Sequence, residues 1–201
     1  LTASPARKTP DCAAYPRCGG CTGRHMTYET TLEAKRQQVQ DCFRRIGHID
    51  IDVPPVLGMA DPSHYRNKTA LPVGGTVAEP VAGFFAPRSH DIIPIAQCPN
   101  AMPPADEICR RVLGWMKRFH VEPYVEETHT GLVRHIVVRI NRKGEAMAVL
   151  VINGEVYTVE DRGARRVQYI SRERLIHAIT DQFPQERRTP SKPVSYTHLR
   201  A

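Results

Sequence analysis

The sequence predicts an α+β fold in which two helices accompany an antiparallel sheet. Two stretches repeat apolar residues at three- and four-residue spacing, which is typical of amphipathic helices. Other stretches are short runs of β-branched and aromatic residues broken by proline and glycine, which is typical of strands and turns. These elements do not follow the regular strand–helix alternation of a doubly wound sheet, so the prediction is α+β rather than α/β.

The first helix is predicted to begin at Tyr28 and to end near Gly47, because apolar side chains recur between them and glycine is a common stop. Thr30 and Glu33 have the spacing of a capping box. The predicted apolar face consists of Tyr28, Leu32, the stem of Lys35, Val39, Phe43 and Ile46.

Strands and a second helix follow. Short strands are predicted within residues 51–58, 67–75, 81–86 and 91–98. A helix is predicted over residues 103–119, with Pro103 or Pro104 in its first turn and Ile108, Val112, Trp115, Met116 and Phe119 on its apolar face. Residues 131–140 and 145–152 form a predicted hairpin around the turn "NRKG", and a weaker helix is predicted over residues 172–183.

Composition indicates a protein of the cytoplasm. The 201 residues are enough to bury a core, and 41% hydrophobic and 24% charged residues are usual for soluble globular proteins. No apolar run is long enough for a transmembrane helix, and no signal peptide is recognisable at the start, so no membrane partner is expected. In the reducing cytoplasm, clustered cysteines are more often metal ligands than disulfides.

Net charge favours a polyanionic partner. The formal charge is +7 with a pI near 9.3, and arginine, whose planar fork suits phosphates and bases, often occurs in pairs. No G-x-G-x-x-G motif or P-loop follows a predicted strand, so no nucleotide or S-adenosylmethionine pocket is predicted in these residues.

The cysteines carry the most specific pattern. Cys12, Cys18 and Cys21 lie in "CAAYPRCGGC", and Cys98 precedes a proline, as the last ligand of many iron–sulfur loops does. Spacing alone leaves three interpretations open, namely a [4Fe-4S] cluster, a zinc ion, or a disulfide or inert core. Gly19 and Gly20 are predicted to let backbone N–H groups approach the cluster. Cys42 and Cys109 fall in the helical patterns and are predicted to be small buried hydrophobic residues.

A family resemblance rests on four segments. "CAAYPRCGGCTGRHMTYETTLEAKRQQV", "YRNKTALPV", "GFFAPRSHDIIPIAQCPN" and "GLVRHIVVRI" occur in order between about residues 11 and 153. Together they resemble the RNA (uracil-5-)-methyltransferase family, and within it the bacterial 23S rRNA enzymes that carry an iron–sulfur cluster. The resemblance implies a [4Fe-4S] cluster on Cys12, Cys18, Cys21 and Cys98.

The resemblance also implies a domain plan. Residues 1–11 are expected to be a linker or the remnant of an OB-like (TRAM) domain, and residues 12–26 with Cys98 to form the iron–sulfur knuckle. Residues 27–185 are expected to be the central RNA-recognition domain. Residues 186–201 are expected to be a non-native or disordered tail, because "VSYTHLRA" resembles a translated sequencing adapter.

Complete family members use a C-terminal Rossmann-like domain that binds S-adenosylmethionine. Its cysteine attacks C6 of uracil, which makes C5 nucleophilic toward the methyl group, and a base then removes the C5 proton. That domain is expected to be absent from this chain, which therefore holds no predicted catalytic residue and is expected to be inactive by itself.

The predicted function is thus a fragment of an S-adenosylmethionine-dependent 23S rRNA (uracil-5-)-methyltransferase, with RNA as partner and no obligate protein partner. The alternative is a stand-alone metal-cluster RNA-binding module without catalysis. A ferredoxin-type electron carrier suits the basic charge less well. The candidate RNA contacts are Arg66, Lys68, Arg88, His90, Arg134 and Arg139.

Overall fold

The architecture is α+β, as predicted. A computed structural model describes residues 2–153, 157–161 and 164–168. The predicted helix at residues 172–183 and the predicted tail lie outside these ranges. The elements in chain order are α1 (Tyr28–Asp41), a π-helical segment (Cys42–Gly47), β1 (Lys68–Gly75), β2 (Pro80–Phe85), β3 (Ile92–Pro94), α2 (Pro103–Arg118), β4 (Val133–Ile140), β5 (Ala146–Ile152), β6 (Tyr157–Asp161) and β7 (Ala164–Gln168).

The main sheet has five antiparallel strands in the order β3-β2-β1-β4-β5, and β6 pairs with β7 in a separate hairpin. The first part of β1 pairs with β4, with Leu71 opposite Ile136. The last part of β1 pairs with β2, with Val73 opposite Ala82. One strand therefore connects the β4–β5 hairpin to the β2–β3 hairpin.

The core lies between this sheet and α2. Pro103 and Pro104 occupy the first turn of α2, where a missing N–H is not needed, and this confirms the prediction. Phe119 follows the last helical residue and is 40% exposed, so unlike the other four residues of the predicted apolar face it is not buried. The largest fully buried side chains are Met116, Ile136, Val112, Val121, Val133 and Val138.

The β4–β5 hairpin also confirms its prediction. The Asn141 side-chain oxygen accepts hydrogen bonds from the backbone N–H groups of Lys143 and Glu145, each at 2.9 Å. Gly144 has φ +80°, the left-handed conformation that glycine adopts without strain. The turn residues therefore fix the register of the two strands.

Helix α1 begins at Tyr28 as predicted, but its cap and its apolar face differ from the prediction. The N-cap is Thr27, whose hydroxyl accepts a hydrogen bond from the Thr30 N–H at 3.3 Å, so the predicted capping box is wrong. The helix continues to Gly47 as a π-helical segment. Val39 is 44% exposed and Ile46 is 77% exposed, so much of the predicted apolar face is not covered by the described residues.

Residues 51–58 form no strand, contrary to the prediction. They run beside α1 instead, because polar side chains of the helix bind their backbone. Gln40 accepts from the Val53 N–H at 2.8 Å and donates to the Ile51 carbonyl. The Arg36 Nε donates to the Val53 carbonyl at 2.7 Å. Residues 91–98 contain a strand of three residues only, and it is an edge strand that ends at Pro94.

Candidate metal centre and nucleic-acid interface

Four cysteines from distant parts of the chain line one narrow cavity. Cys12, Cys18 and Cys21 come from the cysteine knuckle (residues 12–26), and Cys98 comes from the segment after β3. Cys18 and Cys98 are buried, whereas Cys12 and Cys21 are half-buried, and all six cysteines of the chain are free thiols. The structure thus brings together the four cysteines that the sequence singled out.

The knuckle is shaped by backbone hydrogen bonds and docks on β2. Gly19 N–H donates to the Phe85 carbonyl at 3.0 Å. A Cβ at Gly19 would lie 2.6 Å from that oxygen, so any larger residue would push the knuckle off the strand. Gly20 N–H donates to the Cys18 Sγ at 3.3 Å, beside the cavity. The Gly19 N–H serves the docking contact rather than the predicted approach to the cluster.

A tight turn at residues 98–101 presents the fourth cysteine. Ala101 N–H donates to the Cys98 carbonyl at 3.0 Å, which closes the turn. The Cys98 N–H donates to the Asp106 carboxylate in the first turn of α2, at 3.1 Å. Burial raises the pKa of Asp106, and the hydrogen bond from Cys98 opposes that rise. Helix α2 therefore positions Cys98 as well as forming the core.

Three polar residues, here named the polar triad (Asp11, Arg24 and Asn100), join the knuckle to that turn. The Arg24 guanidinium donates to the Asn100 side-chain oxygen at 2.7 Å and to the Asp11 carboxylate at 3.0 Å. Its Nε lies 2.6 Å from Asp11 Oδ1, which makes an ion pair, although the N–H is not aligned for a hydrogen bond. The Asn100 amide Nδ2 donates to Cys21 Sγ at 3.2 Å.

Electrostatics near Cys21 are set by opposing effects. Burial raises the pKa of the Cys21 thiol, Arg24 acts to lower it, and the neighbouring Cys98 and Cys18 raise it. Burial also acts to raise the pKa of Asp11, but the hydrogen bond and charge of Arg24 outweigh it and lower that pKa. The Cys21 thiol therefore carries a cost of ionisation that a bound cation would offset.

The segment before the knuckle is held to it by backbone pairing. Lys8 N–H donates to the His25 carbonyl at 2.8 Å, and Thr27 N–H donates to the Ala6 carbonyl at 2.9 Å. Together with the Asp11–Arg24 ion pair, these contacts attach residues 6–11 to the cavity wall.

Among the described residues, no group of three or more histidine, cysteine, aspartate or glutamate side chains is placed to hold a single metal ion. In the same described part of the chain, no helix is long and apolar enough to cross a membrane.

Three of the residues predicted to contact RNA lie at or next to the start of β1. Lys68 and Arg139 lie opposite each other in the β1–β4 register, and both are exposed. Their neighbours Thr69 and Val138 are buried, so by strand alternation the two cations lie on the outer face of the sheet. Arg66, two residues earlier, lies 5.8 Å from the Phe84 ring centroid and lines the cysteine cavity.

The other three predicted contacts are placed differently. His90 stacks on Phe85, and its Nδ1 donates a hydrogen bond to the Glu126 carboxylate at 2.7 Å. The Arg134 guanidinium lies 4.5 Å from the Tyr124 ring centroid. Arg88 is exposed in the turn between β2 and β3 and has φ 60°.

The two remaining cysteines differ from each other. Cys109 is 5% exposed in the core, as predicted, and burial raises its pKa to about 12. Cys42 is exposed in the π-helical segment, so its predicted burial is wrong. The polar triad was not predicted, because no spacing rule connects Asp11 or Arg24 with Asn100. The only signal was that Asn100 follows Cys98 and Pro99 in "CPN".

Comparison with known proteins finds relatives that are RNA methyltransferases. The chain is 44% identical over 152 residues to an uncharacterised RNA methyltransferase of Clostridium tetani, covering 75% of this chain and 33% of that protein. It is 41% identical over 153 residues to one of Clostridium acetobutylicum, covering 74% and 33%. Over about three quarters of its length the chain is therefore similar to these RNA methyltransferases. It spans about a third of the length of the curated relatives it matches. No protein-family model matches it.

A solved structure shares the fold. The crystal structure of a Pyrococcus abyssi tRNA (uracil-54, C5)-methyltransferase, in complex with S-adenosyl-L-homocysteine, matches with a TM-score of 0.56. The match covers 76% of this chain and 33% of that one, at 23% sequence identity.

Proposed function

We propose that this chain is the cluster-bearing, RNA-binding part of an S-adenosylmethionine-dependent 23S rRNA (uracil-5-)-methyltransferase. Cys12, Cys18, Cys21 and Cys98 hold a [4Fe-4S] cluster, and the outer face of the sheet binds RNA. The observation that carries the proposal is the meeting of these four cysteines in one cavity beside the cationic start of β1.

The donor set fits an iron–sulfur cluster. Four thiols and no imidazole line the cavity, and thiolate-only ligation suits soft metal centres. A tetrahedral zinc ion with Zn–S bonds of about 2.3 Å would draw the sulfur atoms to within about 4 Å of one another. A four-iron cluster holds its thiolates further apart, and three ligands from one knuckle with a fourth from a distant turn suit such a cluster. Gly20 and Asn100 already direct N–H groups at two of the sulfur atoms, as donors do around such clusters.

The cluster's role in this proposal is structural. It joins the knuckle to the turn at residues 98–101, and so fixes Arg66 and the start of β1 relative to the knuckle. The residues of this chain bind and orient RNA, and the methyl group comes from S-adenosylmethionine bound elsewhere in the enzyme. The similarity to RNA methyltransferases and the uracil-5 activity of the fold relative support this assignment.

Lys68 and Arg139 are the strongest candidates for phosphate contacts. Both are exposed and adjacent, and no acidic residue stands opposite either of them in the β1–β4 pairing. His90 and Arg134 already contact Glu126 and Tyr124, so they contribute to RNA binding only if those contacts are shared or exchanged.

Iron analysis of anaerobically purified protein tests the cluster. We expect about four irons per chain and a broad absorbance near about 400 nm, the properties of a [4Fe-4S] centre. Cys98→Ser should abolish iron binding, because serine keeps the size of the side chain but not the thiolate. Cys109→Ser is the matched control, since Cys109 is buried in the same core away from the cavity lining. Stoichiometric zinc without iron, or full iron content in Cys98→Ser, would contradict the cluster.

The salt dependence of RNA binding tests the interface. We expect the double variant Lys68→Ala/Arg139→Ala to weaken binding of a uridine-containing 23S rRNA hairpin and to reduce the salt slope by about 1.4, since each lost contact to single-stranded RNA removes about 0.7. Lys35→Ala/Lys117→Ala, which removes two exposed cations from the helices, is the charge-matched control. Equal losses in the two double variants would show that binding follows net charge alone. A tRNA hairpin that competes better than the rRNA hairpin would overturn the choice of 23S rRNA.

A further inference from the structure

The orientation of the Asn100 side chain follows from chemistry. Arg24 carries only donors, so the Asn100 atom that faces it at 2.7 Å must be the carbonyl oxygen. The amide nitrogen must then face Cys21 Sγ, 3.2 Å away. Asn100 is 7% exposed, so solvent offers no competing partner for either group.

The surroundings hold this orientation in place. Arg24 is 13% exposed in its side chain and is itself paired with Asp11, so the guanidinium cannot turn away without losing both partners. The Asn100 backbone carbonyl accepts from Arg66 N–H at 2.8 Å. Asn100 also lies in the turn that Cys98 begins. One residue therefore connects a ligand of the knuckle with the segment that supplies the distant ligand.

We propose that Asn100 is a positioning residue of the cluster, which donates its amide N–H to the Cys21 thiolate and is oriented by the Arg24–Asp11 ion pair. This inference rests on the proposed cluster. A donor to a ligating sulfur stabilises its negative charge, so it slows loss of the cluster and raises its reduction potential. The two ends of the cavity are thus held differently, since Asn100 donates to the Cys21 sulfur whereas the Asp106 carboxylate accepts from the Cys98 backbone N–H.

Asn100→Asp is the decisive variant. Aspartate has the same shape and still accepts from Arg24, but it cannot donate to Cys21 and it places a negative charge beside the sulfur. Outer-sphere changes of this kind usually cost about ten- to a hundredfold in metal affinity. We expect iron release to a chelator to accelerate by a similar factor, and the midpoint potential of the cluster to become more negative.

Asn67→Asp is the charge-matched control, because Asn67 is exposed and adjoins Arg66 without lining the cavity. Its release rate and potential should equal those of the wild-type protein. Arg24→Gln is the second variant. It leaves Asn100 in place but removes the guanidinium group that orients the Asn100 side chain. Arg24→Gln should accelerate iron release less than Asn100→Asp does. If far-ultraviolet circular dichroism shows that Asn100→Asp does not fold, the release rate of Arg24→Gln tests the role of Asn100 instead.

The outcomes separate the two levels of the proposal. A wild-type chain that binds no iron overturns the cluster, and the role of Asn100 with it. A wild-type chain that holds the cluster, with unchanged release and potential in Asn100→Asp and Arg24→Gln, overturns the role of Asn100 alone. Equal acceleration in Asn100→Asp and Asn67→Asp overturns it too, since charge would then explain the effect.

Discussion

The two helices were both predicted from apolar periodicity, which is much stronger in α2, and they are held by different interactions. In α2 the apolar residues are buried against the sheet, with Met116 and Val112 fully enclosed. In α1 and its π-helical continuation, Val39 and Ile46 are exposed, and Gln40 is the buried residue of the helix. Helix α2 is therefore held by apolar packing, whereas α1 is held by hydrogen bonds to residues 51–53.

This difference shows that periodicity identifies a helix but not what covers it. The apolar face of a helix stabilises the fold only where another apolar surface lies against it. Helix α2 packs against the main sheet, whose strands come from before and after α2 in the sequence. Helix α1 has an extended segment with two prolines, whose backbone groups bind the helix while its apolar side chains Ile51, Val56 and Leu57 stay exposed.

Thiol labelling should give the largest contrast between the helices. Cys109 in α2 is buried, and burial raises its pKa to about 12. At pH 8 the Cys109 thiol is therefore ionised in only about one molecule in ten thousand. Cys42 is exposed, so an alkylating reagent can reach its sulfur. We expect iodoacetamide to label Cys42 at least about a hundredfold faster, measured by peptide mass spectrometry. Comparable rates would mean that α2 is not packed as described.

Core truncation should give the next largest effect. Met116→Ala should lower the free energy of unfolding by about 2–5 kcal/mol, because it leaves a cavity under the sheet. Ile46→Ala, at 77% exposure, should change it by about 0.5 kcal/mol or less. Urea unfolding followed by the fluorescence of Trp115, the single tryptophan, measures both. Equal losses would show that a surface covers Ile46 in solution.

Removing the polar anchor of α1 should have a smaller effect. Gln40→Ala leaves the Ile51 carbonyl and the Val53 N–H without their partner, at a cost of about 1–2 kcal/mol. The effect should appear as faster amide hydrogen exchange at Val53, with little change in the core. Gln37→Ala, an exposed position of the same helix, is the control. Unchanged exchange at Val53 would show that Arg36 alone holds the segment.

The sequence predicted which four cysteines line the candidate site, but not the polar residues that hold them in place. The Cys12, Cys18 and Cys21 spacing and the proline after Cys98 are local patterns, so they could be recognised without a fold. Asn100, Arg24 and Asp11 are far apart in the sequence and form one hydrogen-bonded set only in the folded chain. There the knuckle docks on β2 through Gly19 and lies against the turn that contains Asn100. That docking contact is set by tertiary packing and leaves no periodic signal.

The sequence by itself determined the α+β class, the buried face of α2, the β4–β5 hairpin and the four candidate cysteines. These depend on side-chain periodicity, turn chemistry and ligand spacing over short stretches of chain. The tertiary structure decided that residues 51–58 form no strand, that Cys42 is exposed, and that Lys68 faces Arg139 across the sheet. Each of these depends on which distant segment lies alongside, because hydrogen-bond partners and burial come from the neighbour that the fold supplies rather than from the residue alone.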